Sequence, residues 1–71
     1  MARKQSLGRW LAARRAERGK SRAEIAAAVG VTYASIHFWE TDHCRPRPEN
    51  LSALCKALRA SVREAKGLAA A

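Results

Sequence analysis

The 71-residue sequence predicts a compact all-α fold of five short helices. Three observations carry that expectation. No stretch alternates apolar and polar residues, and β-branched residues are few, so nothing reads as a strand. Ser-x-x-Glu occurs twice, at Ser21–Glu24 and Ser61–Glu64, each just ahead of apolar residues at helical spacing. Gly19, Gly30, Pro46 and Pro48 fall between the periodic segments, where helices have to stop.

The elements follow in order. Residues 1–6 form a basic tail, and Leu7, Trp10 and Leu11 recur at i, i+3, i+4 in a first helix that Gly19 ends. Ser21 caps a second helix over 21–29. Ile25, Ala26 and Val29 face inward there, and Gly30 supplies a left-handed stop. After a short turn Thr32 caps a third helix over 32–40, with Ile36 and Trp39 as its inward stripe and Glu40 beside them. Asp42 to Pro48 reads as a loop. A fourth helix starting near Glu49 buries Leu51, Leu54, Cys55 and Leu58. The second capping box opens a weaker fifth helix carrying Val62, Ala65 and Leu68. One domain over 7–66 results, with a C-terminal tail over 67–71.

Composition narrows the function. Hydrophobic residues make up 48% of the chain, enough for a folded domain, and much of that is helix-favouring alanine. The net charge is +8, unevenly placed: +7 over residues 1–22, −3 over 23–44 and +4 over 45–71. A small, strongly basic chain suits a polyanionic partner, nucleic acid above all. The longest uncharged run, Ile25 to Trp39, is too short and too polar to span a bilayer. Two cysteines, Cys44 and Cys55, make no disulfide framework, so a cytoplasmic protein with reduced thiols is expected. His37, His43, Cys44 and Cys55 match no structural zinc spacing, and no metal or cofactor is expected. Cys44, in a basic loop, lacks a resolving partner for redox sensing. No glycine-rich phosphate loop occurs, and Asp42–His43 has no nucleophile to go with it, so an enzyme is not expected.

Capped helix, glycine turn, capped helix between Ser21 and Glu40 is the helix-turn-helix pattern. In that arrangement the first helix crosses phosphates and the second offers side chains to base edges in the major groove. The stretches LGRWLAARRAERGKSRAEIAAAVGVTYASIHFWE and RPRPENLSALCKALRAS resemble the Cro and lambdoid-phage repressor, or XRE-type, family of small DNA-binding transcriptional regulators. The resemblance runs from about Leu7 to Glu64. Gly19, Ser21, Glu24, Ile25, Ala26, Gly30, Val31, Ile36, Trp39, Glu40, Pro46, Leu51, Leu54 and Leu58 are its landmarks.

The resemblance implies roles by position. Tyr33, Ala34 and Phe38 fall where the family reads bases, with Ser35 and His37 able to add hydrogen bonds. Ser21, Arg22, Thr32, Thr41, Arg45 and Arg47 suit phosphate contacts, and Arg22 stands where the family commonly has glutamine. Arg3 and Lys4 are either a groove-inserting arm or a plain tail. Arg15 and Glu40 match a structural ion pair tying the first helix to the reader. Four residues depart from the family pattern. Phe38 replaces a common glutamine or arginine, and Arg59 replaces a glycine after the fourth helix. Ala65 replaces a larger apolar residue, and Arg14 occupies a normally apolar site of the first helix.

The reading helix holds no lysine or arginine. Affinity and specificity therefore divide: flanking cations serve phosphates, and the reader works by apolar packing and single hydrogen bonds. Duller readings stay open. Phe38 can fold back on the domain, Tyr33 can meet phosphate, and His37 can be ordinary polar surface. Trp39 belongs to the core, whereas Trp10 is expected to cover a surface or a dimer contact. The expected function is sequence-specific binding to double-stranded DNA by a phage- or mobile-element-type repressor, as a homodimer on a palindromic operator. No small-molecule ligand is expected. Alternatives are an antitoxin-like protein-interaction module and a nonspecific nucleic-acid binder.

Overall fold

The computed structural model describes residues 5–70, and within them it contains five α-helices and no strand. They are α1 (Leu7–Glu17), α2 (Arg22–Val29), α3 (Tyr33–Glu40), α4 (Pro48–Leu58) and α5 (Val62–Ala70). The expected ends are met by local chemistry. The Ser6 hydroxyl accepts from the Arg9 amide to open α1. Around Ser21 the capping box is complete: its hydroxyl accepts from the Glu24 amide, and its own amide donates to the Glu24 carboxylate at 2.8 Å. Those bonds hold the Glu24 carboxyl below its ordinary value. Gly30 closes α2 at φ 84°, a conformation that side-chain-bearing residues rarely adopt.

Two boundaries differ from the sequence reading. Pro48, expected in the loop, is the first residue of α4, where its missing amide is no loss and its fixed φ suits the helix. Residues 67–70, expected as tail, continue α5 to Ala70, because Leu68 and Ala69 still find the core to pack against.

One buried cluster joins all five helices. Leu7, Trp10 and Leu11 come from α1, Ile25 and Ala26 from α2, and Ile36 and Trp39 from α3. Leu51, Leu54, Cys55 and Leu58 come from α4, and Ala65 from α5. Trp10 corrects its expected surface role: it is only 2% exposed. The reason is that α1 packs against both α3 and α5, so its buried face is wider than one stripe. Arg14 then takes over part of the covering. Its guanidinium lies 5.7 Å from the Trp10 ring centroid and also donates to Glu17, so a cation lids an aromatic core residue. Ala65 is fully buried, and its small side chain lets α5 lie close to α4 and α1.

The close approach of α1 to α3 decides how the third helix is held. A Cβ on Gly8 would stand 2.6 Å from the Glu40 carbonyl oxygen and 2.7 Å from that of Trp39. The Gly8 amide, one of the orphan donors of the first turn, is taken by Asp42 Oδ1 at 2.9 Å. Asp42, two positions beyond the end of the third helix, therefore caps the first helix across 34 positions of sequence.

Candidate nucleic-acid interface

The third helix divides into two faces. Ile36, Trp39 and Glu40 are buried, while Tyr33, Ala34, His37 and Phe38 are exposed on the other side. Tyr33 and Phe38 are the two large hydrophobic residues exposed among the described residues, at 54% and 42%. The sequence-expected reading residues thus share one solvent face, with one exception. Ser35 is half-buried, and its hydroxyl lies 3.0 Å from that of Thr32 while its amide donates to the same Thr32 oxygen. Ser35 is engaged in starting the helix.

The two ends of this helix are closed by threonines. Thr32 accepts from the Ser35 amide at the start, and the Thr41 hydroxyl donates to the His37 carbonyl at the end. Ser21, Thr32 and Thr41 thus have cap duties as well as the phosphate contacts expected of them. Phe38 turns toward the following loop, where its ring stacks on His43 with centroids 5.6 Å apart. The amides of His43 and Cys44 both donate to the Phe38 carbonyl, which folds the loop back over the helix end. Phe38 is thus both exposed and supported. No property of the isolated sequence pointed to His43 as its support.

Beneath the exposed face lies an ionic cluster. The Glu40 side chain is 4% exposed. Arg15 meets it side-on, with Nε to Oε2 at 2.7 Å and a second nitrogen to Oε1 at 3.0 Å. Arg15 also donates to the Lys20 carbonyl. Arg22 adds its Nε to Glu40 Oε1 at 2.8 Å. Burial resists ionisation of Glu40, but the hydrogen bonds and charges of the two arginines outweigh it and hold its carboxyl below the ordinary value. Arg22, expected on phosphate, is therefore first a partner of Glu40. Its side chain remains 30% exposed, and hydrogen bonding to Glu40 raises its pKa further.

Two further arginines expected on phosphate are exposed. Arg47 is exposed at the start of α4. Arg45 is exposed as well, and donates to the Ala69 carbonyl, tying the loop to the end of α5. Arg18 donates to the Leu58 and Arg59 carbonyls at the end of α4. Arg3 and Lys4 lie outside the described residues. Among the described residues no group of three metal-ligating side chains gathers, and no helix is long and apolar enough to cross a membrane. Cys44 is exposed, whereas Cys55 is buried and desolvation pushes its thiol up.

Sequence reasoning missed Gly8, Asp42 and His43 as supports of this face. Gly8 alone carried a local signal, as a glycine inside the first turn of a helix otherwise built of good helix formers.

Comparison with known proteins agrees with this geometry. The helix-turn-helix family matches residues 11–68. The P22 c2 repressor protein, solved in complex with synthetic operator 9T in the presence of Tl+, is 35% identical with a TM-score of 0.83. That match covers 87% of this chain and 94% of the repressor chain. The clp gene regulator ClgR from Corynebacterium glutamicum is 33% identical with a TM-score of 0.81, over 90% of this chain and 68% of its own. Among curated proteins no sequence matches. The match spans most of the chain, and the chain belongs to the XRE-type, lambdoid-repressor-like helix-turn-helix family of DNA-binding regulators.

Proposed function

We propose that this protein is a sequence-specific transcriptional repressor that binds a palindromic operator as a homodimer. The observation that carries the reading is the exposed face of Tyr33, Ala34, His37 and Phe38 on a helix whose other face is locked into the core. Such a helix can enter the major groove without loosening the fold. Alanine and phenylalanine suit thymine methyls, and tyrosine and histidine suit single polar contacts. Arg47 and Arg45 near one end of the reader, with Ser21 and Arg22 at the start of α2, are the proposed phosphate contacts. Thr32 and Thr41 add hydroxyls at its ends, and Arg3 and Lys4 are the proposed arm. The operator-bound state of the similar P22 c2 repressor supports double-stranded DNA as the partner. A dimer would set two readers on half-sites about one helical turn apart, roughly 34–36 Å.

The test is selection of bound duplexes from a random pool at about 150 mM salt, where long-range surface attraction is largely screened. A palindromic winner with half-sites one turn apart is expected, together with sedimentation of the complex as two chains per duplex. Binding without an enriched motif would refute sequence reading and favour a nonspecific binder. Failure to bind would turn attention to Phe38 and the C-terminal helix as a protein-docking face for the antitoxin-like alternative, whose third expected member, Trp10, is buried.

A further inference from the structure

Arg22 reaches beyond Glu40. Its second nitrogen lies 3.4 Å from His37 Nδ1, on the exposed face of the reader. Arginine carries five donors and no acceptor, and it stays protonated. The contact therefore has one polarity. His37 Nδ1 must be the bare, accepting nitrogen, and in the neutral ring the proton sits on Nε2. Nε2–H has no acceptor among the described residues, and His37 is exposed. The arginine is itself fixed, since its Nε is held by a carboxylate that Arg15 grips from the other side. A chain of charge-assisted bonds thus runs from the Lys20 carbonyl through Arg15, Glu40 and Arg22 to His37.

We propose that Arg22 is a positioning residue that holds His37 as an Nε2–H donor, and that this makes the reader select a hydrogen-bond acceptor on the base edge. Purine N7, guanine O6 and thymine O4 are the acceptors that the major groove offers. A base pair presenting only a donor or a methyl at that point is disfavoured. The inference rests on the DNA-reading role proposed above for its binding half, while the tautomer is a property of the free protein.

Two measurements separate the halves. The imidazole nitrogen shifts of the free protein, taken by NMR at a pH where the ring is neutral, report the tautomer directly. His37 is expected at the fixed limit, with Nδ1 unprotonated, and His43 serves as the internal comparison. Arg22→Met removes every donor but leaves Arg15 on Glu40, and it is expected to return His37 to a tautomer mixture. A mixture, or an Nδ1–H form, in the unaltered protein overturns the proposal without any variant. The second measurement is a double-mutant cycle on the duplex selected from the random pool. His37→Ala is expected to weaken binding about 10-fold in the parent, as for loss of a base contact, and by less than about 3-fold beside Arg22→Met. Equal losses in both backgrounds overturn the coupling. If no duplex is selected, the DNA-reading role and the binding half fall together, and the nitrogen spectrum still decides the tautomer.

Discussion

Replacing Gly8 with alanine sets two effects of opposite sign against each other. Helix propensity alone favours the change by about 1 kcal/mol. The packing opposes it. The added Cβ would stand 2.6 Å from the Glu40 carbonyl oxygen and 2.7 Å from both the Trp39 carbonyl and Asp42 Oδ1. Two of these atoms are backbone and cannot swing aside. Restoring ordinary contact, about 3.4 Å, to the nearest of these atoms requires α1 and α3 to part by roughly 0.8 Å. That displacement stretches the 2.9 Å bond from the Gly8 amide to Asp42 past hydrogen-bonding range. Overpacking costs about 1–3 kcal/mol and the lost bond about 1 kcal/mol. The net expectation is a loss of about 1–3 kcal/mol, or roughly 5–20 °C in Tm for a domain of this size. Thermal and urea melts followed by circular dichroism measure it. Gly67→Ala is the matched control, because a Cβ there meets nothing within 4 Å. It should gain up to about 1 kcal/mol from propensity alone. A Gly8→Ala protein as stable as the parent would refute the close-contact reasoning.

Other outcomes follow from the same structure. Glu40→Gln should destabilise by about 2–3 kcal/mol, less than the roughly 3–5 kcal/mol for breaking a fully buried pair, because Arg15 and Arg22 keep partial access to water. Glu40 also sets an acid limit. Its folded pKa is depressed, so its contribution is fully present above the unfolded value of about 4.3 and fades as pH falls through the lower folded value. Acid titration of stability should show this component in the parent and lose it in Glu40→Gln. Arg59 closes α4 at φ 53°, so Arg59→Gly should stabilise by about 0.5–1 kcal/mol in chemical denaturation, since Arg18 still reaches the carbonyl of position 59. Phe38→Ala should alter stability by no more than about 0.5 kcal/mol, yet change affinity and base preference in competition with the selected duplex.

The features that sequence revealed are those written in neighbouring residues. The Ser21 box, the Gly30 stop and the Thr32 cap each involve bonds spanning three or four positions, so their chemistry is visible in a short window. The inward stripes of α3 and α4 were legible for the same reason, through helical spacing. The burial of Trp10 is not legible locally, because α1 packs against both α3 and α5, the latter some fifty residues away in sequence. The second partner of Glu40 was hidden for a related reason. Arg22 suits phosphate by position and charge, and only the packing of α2 on α3 reveals that a buried carboxylate has it first. Asp42 reads as an ordinary loop residue, since its role exists only where a helix some 34 positions earlier begins against it.

The division of α3 into a locked face and a free face bears on how such a protein diverges. Ile36, Trp39 and Glu40 carry its attachment to the fold, and exchange there is punished by unfolding. Tyr33, Ala34 and Phe38 lie on the exposed face, so substitutions at these three positions are expected to disturb folding far less. If these positions read bases as proposed, a lineage can drift across this small surface and meet new operator sequences by chance, one substitution at a time, without first acquiring compensating mutations elsewhere. The same three positions are where a swapped set of side chains should carry a foreign specificity onto an unchanged scaffold.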